Sequence, residues 1–241
     1  MAENPLLPRR KLKELHALIL HCRALERAVH HNTKCLPREA LLAASAIHLH
    51  PGDLIFTKFR DPIAASLQPA TKLTPRKSSK KIVEATAFDL PPLAAAAAAA
   101  HSLSPKAKNL VLAHTHENAI EPDWQATLRF AQANHLPLLI VCTSVHPHPS
   151  IRHSQKVNRD IIAWNSVTRL CARLHLPLLP VDGEDAVALF RVFQESTLHA
   201  RAGAAPAVIW AMFHATGGKL PRPKSPIARL QAYCRARGIK L

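Results

Sequence analysis

Asn109–Val145 reads NLVLAHTHENAIEPDWQATLRFAQANHLPLLIVCTSV, and this stretch decides the fold class. Leu110–Ala113 is a short apolar run without glycine or proline, which is typical of a strand buried on both faces. After a polar interval, apolar residues recur at helical spacing through Trp124–Leu136. A Leu-Pro pair ends this helix, and Leu138–Cys142 is a second wholly apolar run. The stretch therefore predicts a strand, a helix and a second strand.

Two strands joined through a helix lie parallel in one sheet, because a parallel pair needs a long crossover connection. In such sheets the loops after the strands build the binding crevice. Here those loops are predicted at His114–Pro122 and Thr143–Ile151.

The same alternation of helices and strands extends outward along the chain. It predicts an α/β fold with a mainly parallel sheet and helices on both faces. The remaining predicted helices are Lys11–His31, Arg38–Leu49, Phe88–Ser102, Ile161–His175, Ala186–Arg201 and Pro226–Arg237, and the remaining strands are Leu54–Phe59, Leu176–Val181 and Val208–Phe213.

Length and composition predict one domain covering residues 1–241. The chain has 241 residues, enough for one good-sized core. Residues 68–84 are polar and basic and predict a mobile surface loop. The five cysteines lack CxxC spacing and indicate reduced thiols in a cytoplasmic protein. No apolar run approaches the roughly 20 residues of a membrane-spanning helix.

The net charge is strongly positive, at +16 with 32 Lys and Arg against 16 Asp and Glu. Such a balance suits either a polyanionic partner or a solvated basic surface. The charges are dispersed and no basic stripe interleaved with aromatic residues is visible, so nucleic acid is not an expected partner.

Several segments resemble the alpha subunit of thiamine-diphosphate-dependent 2-oxo acid dehydrogenases, the pyruvate dehydrogenase type. LHLPLLPVDGEDAVALFRVFQESTLHARAGAAPAVI (174–209) is similar to the family's VDGND and RAG segment. PREALLAASAIHLHPGDLIFTKFRD (37–61) is similar to its GQEA…YRDH segment, and SPIARLQAYCRARGI (225–239) to its C-terminal helix. The matching residues are Glu39, Ala40, Asp53, Arg60, Asp61, Asp182, Gly183, Asp185 and Arg201.

The resemblance implies the thiamine-diphosphate-binding fold, with thiamine diphosphate held through magnesium. It also implies a beta-type partner subunit in a homo- or hetero-oligomer, because in the family that partner supplies the activating glutamate. The family's GDG and NN loops fall on Thr115-His116-Glu117 and Ser144-Val145, and Arg60 is a candidate anion contact. His116 offers an imidazole where the family has a carboxylate, and Ser144 and Val145 offer a hydroxyl and an isopropyl group where the family has amide oxygens, whereas magnesium prefers carboxylate and amide oxygens. The chemistry of the cofactor site is therefore degraded.

Three main hypotheses about function follow, beside a weaker fourth, a nucleic-acid binder, which rests on the positive charge alone. The first is a degenerate family member without thiamine chemistry, acting as a binding or regulatory partner. The second is an active thiamine-diphosphate-dependent dehydrogenase that works with a beta-type subunit. The third is a transition-metal protein that binds zinc, with candidate ligands His114, His116, Glu117, His146 and His148. The alternative to this metal site is a set of surface histidines in a chain that has 16 of them.

Overall fold

The computed structural model describes residues 7–29, 37–58, 82–85, 90–103, 109–116, 123–146, 155–203, 206–214 and 225–241. Two helices and two strands come first, and helices and strands then alternate from Leu90 onward. The helices are α1 (Arg9–Val29), α2 (Glu39–Ala46), α3 (Leu90–Ser102), α4 (Asp123–Ala133), α5 (Gln155–Leu174), α6 (Ala186–Arg201) and α7 (Pro226–Ala236), and the strands are β1 (Leu54–Lys58), β2 (Ile82–Ala85), β3 (Val111–His116), β4 (Leu138–His146), β5 (Leu178–Asp182) and β6 (Ala207–His214).

The described strands form one sheet in the order β2-β1-β3-β4-β6-β5, and every pair in it is parallel. The predicted unit β3-α4-β4 lies at its centre, with Val111 opposite Leu138 and His116 opposite Thr143. This confirms the predicted α/β fold.

Helices cover both faces of the sheet, which is also as predicted. One core, here called face A, packs sheet residues such as Leu112 and Ile209 against α1, α2, α6 and α7. The other, face B, packs Val111 and Trp210 against α3, α4 and α5. Successive residues of a strand point to opposite faces, so odd and even positions of β3 separate between the two cores.

Both central strands are longer than predicted. β3 continues through His114 to His116, and β4 continues through Thr143 to His146. The predicted crevice loops at His114 and Thr143 therefore start too early. The apolar runs end there, but Thr and Val favour extended backbone, and the pairing of β3 with β4 continues to His116 and Thr143.

The predicted loop over residues 68–84 is too long, because it includes residues 82–84, which belong to a strand. Residues 68–81 lie outside the described ranges, but Ile82–Ala85 is strand β2, with Ile82 opposite Ile55 of β1. Its β-branched residues suit a strand.

The sequence His-Leu-Pro-Leu-Leu occurs twice, at 135–139 and 175–179, each time between a helix and a strand. His135 and His175 have φ of 48° and 52°, the left-handed conformation that ends many helices. The next N–H in each case donates back into the helix, from Leu136 to the Ala131 carbonyl and from Leu176 to the Cys171 carbonyl.

None of the helices in the described ranges is long and apolar enough to cross a bilayer.

Candidate functional site

The carboxyl-terminal edge of the sheet is where a parallel α/β fold places its binding site. Four strands end there side by side, in the order β3, β4, β6 and β5. Their last residues are His116, His146, His214 and Asp182, and His146 lies opposite His214 in the register. The predicted cofactor positions that the structure describes, Thr115, His116, Ser144 and Val145, lie at this edge.

The predicted cofactor residues divide between the two faces of the sheet. Thr115 alternates with His114 and His116 along β3, so the two histidines point to face A and Thr115 to face B. Ser144 and Val145 alternate in the same way along β4, with Ser144 on face B. Thr115 and Ser144 therefore lie on one face of the sheet, and His116 lies on the other.

Thr115 and Ser144 are buried, whereas a residue that binds a cofactor must be accessible to it. Thr115 is 6% exposed and Ser144 is 0% exposed. Within the described part of the chain neither hydroxyl oxygen has a hydrogen-bond partner. The neighbouring Thr143 hydroxyl donates to the Thr115 carbonyl at 3.0 Å, which ties the end of β3 to β4.

Other predicted site residues are not described. Arg60, Glu117 and His148 lie outside the described ranges, and only the backbone of His146 is described. Among the side chains that the structure does describe, no group of three or more His, Cys, Asp or Glu is placed to hold a metal ion.

Magnesium and thiamine diphosphate do not fit the described residues at this edge. Magnesium needs hard oxygen ligands in near-octahedral geometry. The matched positions offer the His116 imidazole, an apolar Val145 and two hydroxyls buried on face B. Thr115 also places a side chain where the family's glycine lets the backbone approach a phosphate.

The turn after β5 is built from Asp182, Gly183, Glu184 and Asp185, and its contacts are structural. Asp182 Oδ1 accepts from the Glu184 N–H at 2.9 Å. Asp185 caps α6, accepting from the N–H groups of residues 187 and 188 at 3.0 Å each. Gly183 packs so closely that an added Cβ would lie 2.5 Å from Cζ of Phe213.

Arg229 of α7 holds this turn from the other side, and sequence reasoning missed it. Its guanidinium lies 2.8 Å from Asp182 Oδ2 and 3.2 Å from Asp185 Oδ2. Arg229 is half-buried, so its ion pairs with the two aspartates orient the turn and add little to the free energy of unfolding. Pro226 in the first turn is a sequence signal for the start of α7, and it places Arg229 on that helix without indicating the residues that Arg229 contacts.

Glu184 is the buried carboxyl of this edge, at 2% exposure. Burial raises its pKa above the usual value, and the neighbouring Asp182 carboxylate raises it further. His214, Arg229 and a hydrogen bond with the His214 backbone oppose the rise. Glu184 thus belongs to the packing between β5 and β6, and its Oε1 has no partner among the described residues.

Asp53 and Arg201 form the best-buried ion pair of the described residues. Asp53 is 2% exposed, and its two oxygens accept from Arg201 Nη1 at 3.0 Å and Nη2 at 2.5 Å. The same carboxylate accepts from the N–H of His50 at 2.6 Å and of Leu110 at 2.7 Å. It therefore joins the turn before β1, the residue before β3 and the end of α6.

Neither a protein-family profile nor a curated protein matches this sequence. Solved structures do match the fold. One is a protein from Mycobacterium smegmatis classed as a thiamin diphosphate-dependent enzyme, with a TM-score of 0.52, 11% identity, and 75% of this chain and 32% of that chain covered. Another is benzoylformate decarboxylase from Polynucleobacter necessarius, with a TM-score of 0.51, 10% identity, and 79% and 35% covered. This chain thus spans about a third of the length of these proteins, and it shares the α/β fold of thiamine-diphosphate-dependent enzymes.

Proposed function

We propose that this chain is a degenerate relative of the dehydrogenase alpha subunit that has lost thiamine diphosphate chemistry and acts as a binding or regulatory partner. One observation carries the proposal. The described positions that match the metal-binding loops, Thr115, His116, Ser144 and Val145, lie inside paired strands, and Ser144 is completely buried. For the Ser144 hydroxyl to bind a metal at this edge, the side chain would have to turn outward, which breaks the alternation of β4.

The motif residues that do match support the same proposal. Asp53, Arg201, Asp182 and Asp185 make ion pairs, a helix cap and turn contacts. These contacts hold strands and helices together. A chain under selection for this scaffold and not for the cofactor would keep them while the ligand positions changed.

Isothermal titration calorimetry tests the proposal. Thiamine diphosphate with magnesium is titrated into the full chain, and an authentic thiamine-diphosphate-dependent enzyme serves as the positive control. We expect no saturable heat up to a ligand concentration on the order of 1 mM, which excludes any affinity stronger than about −4 kcal/mol. Saturable binding at micromolar affinity would overturn the proposal and favour an active dehydrogenase with a beta-type subunit.

A second titration separates the metal hypothesis. Zinc is added to the full chain and to the His116→Ala variant, with magnesium alone as the hard-metal comparison. We expect only weak, non-stoichiometric zinc binding that His116→Ala leaves unchanged. One zinc per chain, lost in His116→Ala, would replace the binding-partner proposal with a transition-metal protein.

A further inference from the structure

Helices α1 and α7 carry the excess positive charge of the described side chains. The described side chains of residues 7–25 and 225–241, which cover most of these two helices, include nine Lys and Arg against one acidic residue, Glu14. The other described side chains include six basic and six acidic residues, so their charges cancel. Along the sequence the basic residues are dispersed, and the expectation that nucleic acid is not a partner rests on that dispersion. In the fold the net charge belongs to one pair of helices.

The two helices pack against each other, which brings their basic residues together. Nε2 of His16 on α1 lies 3.4 Å from Nε2 of Gln231 on α7. Lys13 is one helical turn before His16, and Arg235 is one turn after Gln231, so both lie beside this contact. The basic surface, as it is called here, consists of five exposed residues: Arg10, Lys13, Arg235, Arg237 and Lys240.

The basic surface has no acidic counterpart within the described part of the chain. Glu14 pairs with Lys11 at 2.8 Å, and Arg229 of α7 pairs with the aspartates of the turn after β5. None of the five residues of the basic surface forms an ion pair with a described residue. Like charges three residues apart on a helix, such as Arg10 and Lys13, repel each other. An anionic partner would relieve that repulsion.

The residue types of the basic surface suit phosphate groups. Three of the five are arginines, and a guanidinium group binds two phosphate oxygens at once. With 21 residues, α1 is about 30 Å long, close to one turn of a DNA duplex at about 34 Å. We propose that the basic surface binds the phosphate backbone of double-stranded DNA without reading its sequence. This inference rests on the proposed function, a binding partner, and names what is bound.

Two other anionic partners fit the surface less well. Single-stranded nucleic acid needs exposed aromatic rings on which its bases stack. The aromatic ring of α7, Tyr233, is covered by the guanidinium of Arg237, whose central carbon lies 4.4 Å from the ring centre. A helix that binds an anionic membrane inserts its apolar side. In α1 that side is packed in the core, where Leu12, Leu15 and Ile19 are at most 1% exposed.

The form of the duplex also matters. The major groove of B-form DNA is about 12 Å wide and admits an α-helix, so phosphates on both sides of the groove can reach α1. The major groove of A-form RNA is too narrow for this. Duplex DNA is therefore the favoured partner.

Fluorescence anisotropy of a labelled DNA duplex of about 20 base pairs, titrated with the full chain without thiamine diphosphate, tests the inference. We expect a dissociation constant on the order of 1–100 µM at physiological salt. With about five phosphates neutralised, the logarithm of the binding constant should fall with the logarithm of salt concentration at a slope of about −4.5. The pairs Arg10→Glu with Lys13→Glu and Arg235→Glu with Arg237→Glu should each weaken binding at least tenfold. Each pair should also make the slope shallower by about 2.

Arg169→Glu with Arg173→Glu is the matched control. Both arginines are exposed on α5, over face B, and the pair changes the net charge by the same amount. This control should bind within about threefold of the wild type, because its charges lie away from the basic surface. Circular dichroism checks that each variant is folded, and the corresponding glutamine variants replace any pair that is not.

Several results would overturn the inference. These are no binding at about 100 µM chain, a slope shallower than about −2, or a control that loses as much affinity as the basic-surface pairs. Tighter binding to the single strand or to an RNA duplex of the same sequence would also do so. So would binding to vesicles of phosphatidylserine and phosphatidylcholine that the same substitutions weaken. None of the five residues is a predicted cofactor position, so this proposal and the loss of thiamine diphosphate binding fail separately.

Discussion

The buried pair Asp53–Arg201 allows a sharp test of how this fold is held together. Asp53→Ala removes a carboxylate that accepts four hydrogen bonds, two from Arg201 and two from backbone N–H groups. The guanidinium side chain, only 10% exposed, then keeps its charge without this counterion. Breaking a buried pair from one side costs about 3–5 kcal/mol, and we expect Asp53→Ala to lower the free energy of unfolding by that amount.

Arg201→Met should cost less than Asp53→Ala. The remaining carboxylate still accepts from the N–H groups of His50 and Leu110, so its charge stays partly compensated. The methionine also keeps most of the apolar stem of arginine. We expect a loss of about 2–3 kcal/mol, smaller than that of Asp53→Ala because two of the four hydrogen bonds survive.

The double variant separates the pair from its surroundings. Once Arg201 is gone, Asp53→Ala no longer strands a buried cation, so the two losses should not add. The coupling energy should be about 1–3 kcal/mol. The measurement is urea unfolding followed by circular dichroism, with equal m-values required for each comparison. Glu14→Ala is the control, because its pair with Lys11 is exposed and should be worth at most about 0.5 kcal/mol. A loss below about 1 kcal/mol for Asp53→Ala, or simple additivity, would refute the reasoning.

Two further predictions concern the packing of β6 and a buried imidazole. Gly183→Ala should cost about 1–3 kcal/mol in urea unfolding, since the new Cβ meets the fully buried Phe213 ring at 2.5 Å, and adding Phe213→Leu should recover part of the loss. Burial lowers the pKa of His48 from 6.5 to about 4, so the unfolded chain takes up a proton between these values that the folded chain refuses. Stability should therefore fall by about 3 kcal/mol as the pH drops through that window. The free energy of unfolding of the wild type minus that of His48→Gln should fall accordingly from pH 7 to about 4.5. A difference that does not change with pH would contradict the lowered pKa of His48.

Hydrophobic periodicity sufficed for the order and type of the elements, because burial on a sheet or helix face leaves a repeating pattern in the chain. It misplaced the ends of β3 and β4. The apolar runs stop before His114 and Thr143, but the hydrogen-bonded pairing continues to His116 opposite Thr143 and to His146 opposite His214. Pairing depends on the neighbouring strand, which the local sequence does not contain.

The side-chain contacts that hold the two ends of the strands in place could not be predicted from sequence for the same reason. Asp53 and Arg201 are 148 residues apart, and Arg229 is 44 residues from Asp185. Each appears in sequence as an ordinary polar residue of a turn or a helix. Only the resemblance singled out Asp53 and Arg201, and it did so without indicating that they touch.

The matched motif residues that the structure describes hold the fold together, so the resemblance is a guide to the fold whatever the ligand. Asp53 and Arg201 hold β1, β3 and α6 together, and Asp182 and Asp185 build the turn that α7 clasps through Arg229. Replacing any of them affects folding whether or not a cofactor binds. A magnesium ligand is different, since its loss costs the fold nothing when no metal is needed, and at His116 and Val145 the residue types differ from the family's. A short motif therefore predicts chemistry only when the matching residues are the ones that contact the ligand.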